Sequence, residues 1–150
     1  MAKVRWDVLF SAAEHARNRA YAPYSNFHVG AALWLDDDTI IFGCNVENAS
    51  YGLTICAERN ALGQAVAAHR RVKAVAIVVD SKKPTPPCGM CRQVMLELCA
   101  PDVPVRTRTL KGATLSSTVA RLLPHAFVKQ HLFGAAALAK AARRRPRSPR

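Results

Sequence analysis

The hydrophobic positions change period along the chain, and each change marks an element. Over 4–19, Val4, Val8, Ala12 and Ala16 fall four apart with Leu9 and Ala13 beside them, while Arg5, Glu14, Arg17 and Arg19 lie off the stripe. That period predicts an amphipathic helix, broken at Ala22-Pro23-Tyr24-Ser25-Asn26. Phe27–Leu35 reads as a buried strand, Asp36–Asp38 as a turn and Thr39–Val46 as its hairpin partner. Asn48–Leu53 reads as loop, and Thr54 as the N-cap of a helix running to about His69. Val72–Val79 is apolar, β-branched and of strand length, which suits a central strand covered on both faces. Lys82–Pro87, with three prolines, reads as an ordered loop. A third helix opens at Cys88 and closes before Pro101. Pro104–Thr109 reads as a fourth strand, and Leu110–Ser117 is ambiguous, with a fifth strand as one reading. Ser117–Leu123 reads as a short helix ended by Pro124, with a last segment through Phe133. Strands and helices alternate, so a sheet between helices is expected.

Composition narrows the class. The chain has 150 residues, half of them hydrophobic. That is enough apolar surface for one domain to offset the entropy of ordering, which excludes disorder of the whole chain. Apolar runs such as Val29–Leu35 fall far short of the roughly 20 residues a membrane-spanning helix needs, and Arg5 and Asp7 interrupt any secretory core. A cytoplasmic protein without membrane contact is the expectation.

Charge is distributed unevenly. All ten acidic residues lie in 1–102 beside eleven Lys/Arg, whereas 103–150 holds the other eleven basic residues and no acid. We therefore expect a domain over 1–134 and a basic, disordered tail over 135–150. Attraction of the tail to nucleic acid follows from charge alone and carries no sequence specificity.

Chemistry concentrates in Cys56-Ala57-Glu58 and Pro87-Cys88-Gly89-Met90-Cys91, each opening a predicted helix. Thiols three apart face one way within a helical turn and can grip one ion. Cys56 and Glu58 lie about 200° apart around a helix, so they share a ligand only off its N-terminal end. The metal therefore belongs where two helix N-termini meet. There the positive helix ends and a neighbouring arginine, for which we choose Arg59, offset the net charge of three thiolates around Zn²⁺. Three protein ligands leave a position for water, whose pKa zinc lowers to about 7. Glu58, not a ligand, is placed to move protons.

Plainer readings stand beside these. A lone CxxC also fits a redox pair, although three prolines replace the strand that a thioredoxin-like site needs, or half a structural zinc site. Cys44 and Cys99 are the candidate fourth ligands, and both read better as small core residues. The five histidines show no paired ligand spacing.

With C-A-E followed by P-C-x-x-C-R-Q, the sequence resembles the cytidine deaminases, in the form of the zinc deaminase motif with cysteine in place of histidine. Ala20–Phe27 with Val29–Leu33 is similar to the family's N-terminal block, Asn45–Tyr51 to its nucleoside-binding stretch, and Leu122-Leu123-Pro124 with Phe127 to its C-terminal block. The resemblance runs from about residue 12 to 130.

It implies a three-layer α/β/α fold with a mixed five-stranded sheet, assembled as a homotetramer. It also implies one zinc per subunit on Cys56, Cys88 and Cys91, with Glu58 as proton shuttle. Backbone groups beside Cys56 and Cys88, including Ala57, would read the base edge. Asn45 and Glu47 would bond the ribose hydroxyls and Phe27 would stack on the pyrimidine, while Tyr51 and Phe127 would reach a neighbouring subunit's pocket. The aromatics could instead only fill core or interface.

Several positions depart from the family pattern. Asn60 stands where threonine is common, Pro86-Pro87 where Ser-Pro is usual, and the polybasic extension has no counterpart. The leading expectation is hydrolytic deamination of free cytidine and deoxycytidine in pyrimidine salvage. Alternatives are another cytosine nucleoside such as blasticidin S, cytosine in nucleic acid, and a non-catalytic zinc-binding interaction module.

Overall fold

The hairpin expected around Asp36–Asp38 forms. Strand β1 (Val29–Leu35) pairs antiparallel with β2 (Ile40–Cys44), from Gly30 opposite Cys44 to Trp34 opposite Ile40, and Asp38 takes the left-handed conformation at the turn (φ 66°). The computed structural model describes residues 3–133; the basic segment 135–150, expected to be a tail, lies outside the described residues. Strand β3 (Val72–Val79) is central, antiparallel to β1 and parallel to β4 (Pro104–Thr109). The ambiguous stretch resolves into β5 (Thr114–Thr118), antiparallel to β4, giving a mixed five-stranded sheet in the order β2-β1-β3-β4-β5.

Helix α1 (Trp6–Arg17) covers one face. Beneath it lie Ala32, Ala74, Ala76 and Val78, nearly all small, so the helix sits close. The closest approach is at Gly30, where a Cβ would lie 1.9 Å from the Ala13 carbonyl oxygen. The opposite face presents Ala31, Leu33, Leu35, Val75, Ile77 and Val79 to α2 (Ala57–Ala67) and α3 (Gly89–Leu98). Every β3 residue except Lys73 is buried, as a strand covered on both faces should be. Fully buried side chains such as Leu33, Leu62 and Ile77 each contribute about 1.5–3 kcal/mol of transfer free energy, before the entropy of ordering is set against it. Short helices α4 (Val119–Leu122) and α5 (Lys129–Leu132) follow β5. These elements make the three-layer α/β/α arrangement expected from the sequence.

Strands β1 and β2 are shorter at their ends than the expected Phe27–Leu35 and Thr39–Val46, and the start of α2 differs too. Helix α2 is capped by Cys56, not Thr54. Ile55 exchanges both backbone hydrogen bonds with Val46 (3.0 and 2.9 Å), which keeps the chain extended until Cys56, and the Thr54 hydroxyl accepts from the Asn48 N–H instead. The helix closes in a Schellman turn: the Arg70 N–H bonds the Ala65 carbonyl, the His69 N–H bonds the Val66 carbonyl, and His69 has φ 55°.

Strand direction explains where the chemistry collects. Because β2 and β3 both run antiparallel to β1, they end at the same edge of the sheet, where β1 begins. The segments leaving β2 and β3 start α2 and α3, so both helix N-termini meet there, next to Phe27 and Asn45. Among the described residues, no helix is long and apolar enough to cross a membrane.

Candidate active site

Cys56 and Cys88 occupy the N-cap positions of α2 and α3, and Cys91 lies one turn into α3. Their three sulfurs are all within 4.8 Å of one another, and Cys56 Sγ lies 3.9 Å from Cys88 Sγ. Tetrahedral zinc with Zn–S bonds of about 2.3 Å separates its sulfurs by about 3.8 Å, so the trio has the dimensions of a zinc site. Cys44 and Cys99 stand apart from it: the half-buried Cys44 thiol donates to the Arg19 carbonyl, and burial pushes the Cys99 thiol up to about 12.

The three sulfurs do not share charge equally. The Cys91 thiol, hydrogen-bonded to the Cys56 sulfur, and the Arg59 guanidinium beside it hold Cys56 down to about 5. The same contact and burial push Cys91 upward. Burial opposes charge on Arg59, but the Cys56 and Cys91 sulfurs outweigh it and raise its pKa. Arg59 Nη2 donates to the Thr54 carbonyl at 2.8 Å, while its Nε is buried without a partner. A guanidinium beside the Cys56 and Cys91 sulfurs offsets the negative charge that a thiolate-rich metal centre accumulates.

Glu58, in the first turn of α2, is 5% exposed. Burial, with Cys56 adding repulsion, raises its carboxyl to about 6, near the neutral range where a proton shuttle works. Ala57 is fully buried beside it.

The polar pair expected at the end of β2 is buried and satisfied. Asn45 Oδ1 accepts from the Val29 N–H at 2.8 Å, and its Nδ2 donates to the Phe27 carbonyl at 2.8 Å. Glu47 accepts from the Tyr24 N–H (2.9 Å), the Ser25 N–H (3.2 Å) and the Ser25 hydroxyl. The hydroxyl, foremost, and the two amides hold the Glu47 carboxyl below its usual range. Each side chain keeps some capacity, a second N–H on Asn45 and a remaining lone pair on Glu47. The expected aromatics are all exposed on this chain: Phe27 at 39%, Tyr51 at 68% and Phe127 at 57%.

Other supports have partners that motif spacing does not reveal. Arg92 Nε donates to the Pro87 carbonyl at 2.7 Å and its Nη1 to the Leu122 carbonyl at 3.2 Å, tying the peptide before Cys88 to α4. Gln93 Nε2 donates to the Phe127 carbonyl at 2.9 Å. Ser25 and the Asn60 carboxamide also act through distant groups that chain order does not announce.

A metal gripped by three protein atoms keeps a coordination position open, which separates a catalytic zinc site from a structural one. This chain has such a site, with a buried carboxylate at hand, on a mixed sheet layered between helices. The profile of the cytidine and deoxycytidylate deaminase zinc-binding region matches residues 5–107, and the chain belongs to that family. It is 52% identical over 126 residues to the cytidine deaminase of Halalkalibacterium halodurans, covering 83% of this chain and 96% of the relative. The cytidine deaminase of Sporosarcina psychrophila is 50% identical over 131 residues, covering 87% and 96%. The crystal structure of cytidine deaminase from Burkholderia pseudomallei superposes with a TM-score of 0.79 at 48% identity, covering 83% of this chain and all of that one.

Proposed function

We propose that the chain deaminates free cytidine and deoxycytidine hydrolytically to uridine and deoxyuridine, within pyrimidine salvage. The observation that carries this reading is Glu58, a buried carboxyl beside three sulfurs spaced for zinc. Relatives at half identity, matched over nearly their whole length, are named cytidine deaminases.

Zinc bound by Cys56, Cys88 and Cys91 supplies the lowered water pKa that makes attack possible at neutral pH. Glu58 takes a proton from the attacking water and delivers it to the ring nitrogen of cytosine. As the carbon–nitrogen bond breaks, Glu58 passes a proton to the departing ammonia, so cytidine and water become uridine and ammonia. Burial keeps its carboxyl poised between these two states. Arg59 balances sulfur charge, and the backbone around Ala57 and Cys88 reads the base edge. Asn45 and Glu47 use their spare hydrogen-bonding capacity on the sugar hydroxyls, and Phe27 stacks on the pyrimidine.

Exposed Tyr51 and Phe127 support assembly as a homotetramer in which they complete a neighbour's pocket. Five cysteines with no disulfide among them suit a reducing, cytoplasmic setting. Incubating the purified protein with cytidine, and following ultraviolet absorbance and ammonia with and without a chelator, tests the reading. Chelator-sensitive conversion to uridine is expected; no ammonia release from cytidine by zinc-loaded protein overturns it.

A further inference from the structure

The first turn of α2 and the end of β2 lie close together. A Cβ at Gly43 would lie 2.8 Å from both the Ala57 carbonyl oxygen and the Ala61 nitrogen, so helix backbone rests directly on strand backbone. Strand β2 is an edge of the sheet, and its outward carbonyls need other partners. Side chains of α2 supply two. Asn60 Nδ2 donates to the Cys44 carbonyl at 2.7 Å, and Gln64 Nε2 donates to the Phe42 carbonyl at 3.0 Å.

The Asn60 bond falls at a decisive place. Cys44 directly precedes Asn45, whose side chain holds Val29 and Phe27. The Asn60 backbone N–H, in turn, donates to the Cys56 carbonyl at 3.1 Å. Through one residue, the cysteine at the metal end is tied to the peptide that carries the polar pair. Gln64 makes the same kind of bond two residues farther from Asn45.

We infer that Asn60 is a positioning residue, which fixes Asn45 and Glu47 at a set distance from Cys56 and Glu58 and so registers the sugar hydroxyls against the reacting base. This rests on the cytosine nucleoside reading above. The carboxamide touches neither metal ligand sulfur nor proton shuttle, so its loss loosens recognition of the hydroxyls and leaves proton transfer in place. A nucleoside without those hydroxyls is indifferent to the loss.

The test is steady-state kinetics of the zinc-loaded full chain on cytidine and on 2′,3′-dideoxycytidine. The variants are Asn60→Ala, Asn60→Asp and Gln64→Ala. Asn60→Asp keeps the volume, removes both N–H donors and places a carboxylate near a helix N-terminus, where folding tolerates it. For both Asn60 variants the KM for cytidine is expected to rise about 3- to 10-fold, the range of one lost hydrogen bond. Their kcat should stay within about twofold, with the KM for dideoxycytidine unchanged. Gln64→Ala should behave as wild type on both. An unchanged KM for cytidine, an equal rise for both nucleosides, or the same split in Gln64→Ala overturns the inference while the deaminase reading stands. A wild-type chain that releases no ammonia from cytidine overturns both.

Discussion

The sulfurs of Cys56 and Cys88 lie 3.9 Å apart, each at the N-cap of a different helix. Cys91 completes the trio, and the Arg59 guanidinium lies beside the Cys56 sulfur. One zinc per chain should therefore be measurable by atomic absorption. Replacing Cys88 with Ala should abolish stoichiometric zinc and turnover together. Chelation of the wild type should lower its thermal midpoint in proportion to the binding free energy removed. Full activity in metal-free protein contradicts this assignment.

Glu58 is buried beside the cysteine trio, and under the proposed reaction it moves protons without binding the metal. Replacing it with Gln preserves shape but cannot accept or carry a proton. Turnover should fall by about 10²–10⁴-fold, the range of general acid–base catalysis, while zinc content stays at one per chain. Loss of zinc in this variant would instead make Glu58 part of the coordination sphere.

Much of this site was legible from residue spacing. Thiols three apart at a helix start, and a carboxylate two beyond a cysteine, are local patterns that chemistry constrains. The Val72–Val79 run announced a strand buried on both faces because seven of its eight residues are apolar, and those seven are buried. What stayed hidden is non-local. The start of α2 is set by the pairing of Ile55 with Val46, so a good capping residue, Thr54, is left outside the helix. The bonds from Arg92 to Leu122 and from Gln93, Asn60 and Ser25 end on groups that only the folded chain brings near. No residue type or interval signals them.

Two glycines test how α2 is seated. A Cβ at Gly43 would meet backbone atoms of Ala57 and Ala61 at 2.8 Å, whereas one at Gly63, within α2, would meet nothing within 4 Å. Backbone cannot yield as a flexible side chain does. Gly43→Ala should destabilise by about 1–3 kcal/mol, in the range of overpacking, and lower turnover by shifting the helix that carries Glu58. Gly63→Ala should stabilise by about 0.5–1 kcal/mol, because alanine loses less conformational freedom in a helix. Urea unfolding of both variants checks the opposite signs; equal effects would mean that α2 does not rest on β2 through Gly43.

Glu47 sets an acid limit on the fold. The Ser25 hydroxyl, with the Tyr24 and Ser25 amides, lowers its pKa from an ordinary 4.5, so the folded chain binds this proton less readily than the unfolded one. Between the two pKa values the unfolded state carries more protons, and stability therefore rises with pH through that window. The contribution is fully present above about pH 4.5 and is lost as pH falls through the folded value. Glu47→Gln, which cannot become a carboxylate, should be less stable than wild type at pH 7, and the gap should close progressively below 4.5. Urea midpoints for both proteins at pH 7, 5, 4 and 3 measure this directly. A gap that is constant across the series would mean that the carboxylate charge contributes nothing to the loop from Tyr24 to Phe27, and that packing alone orders it.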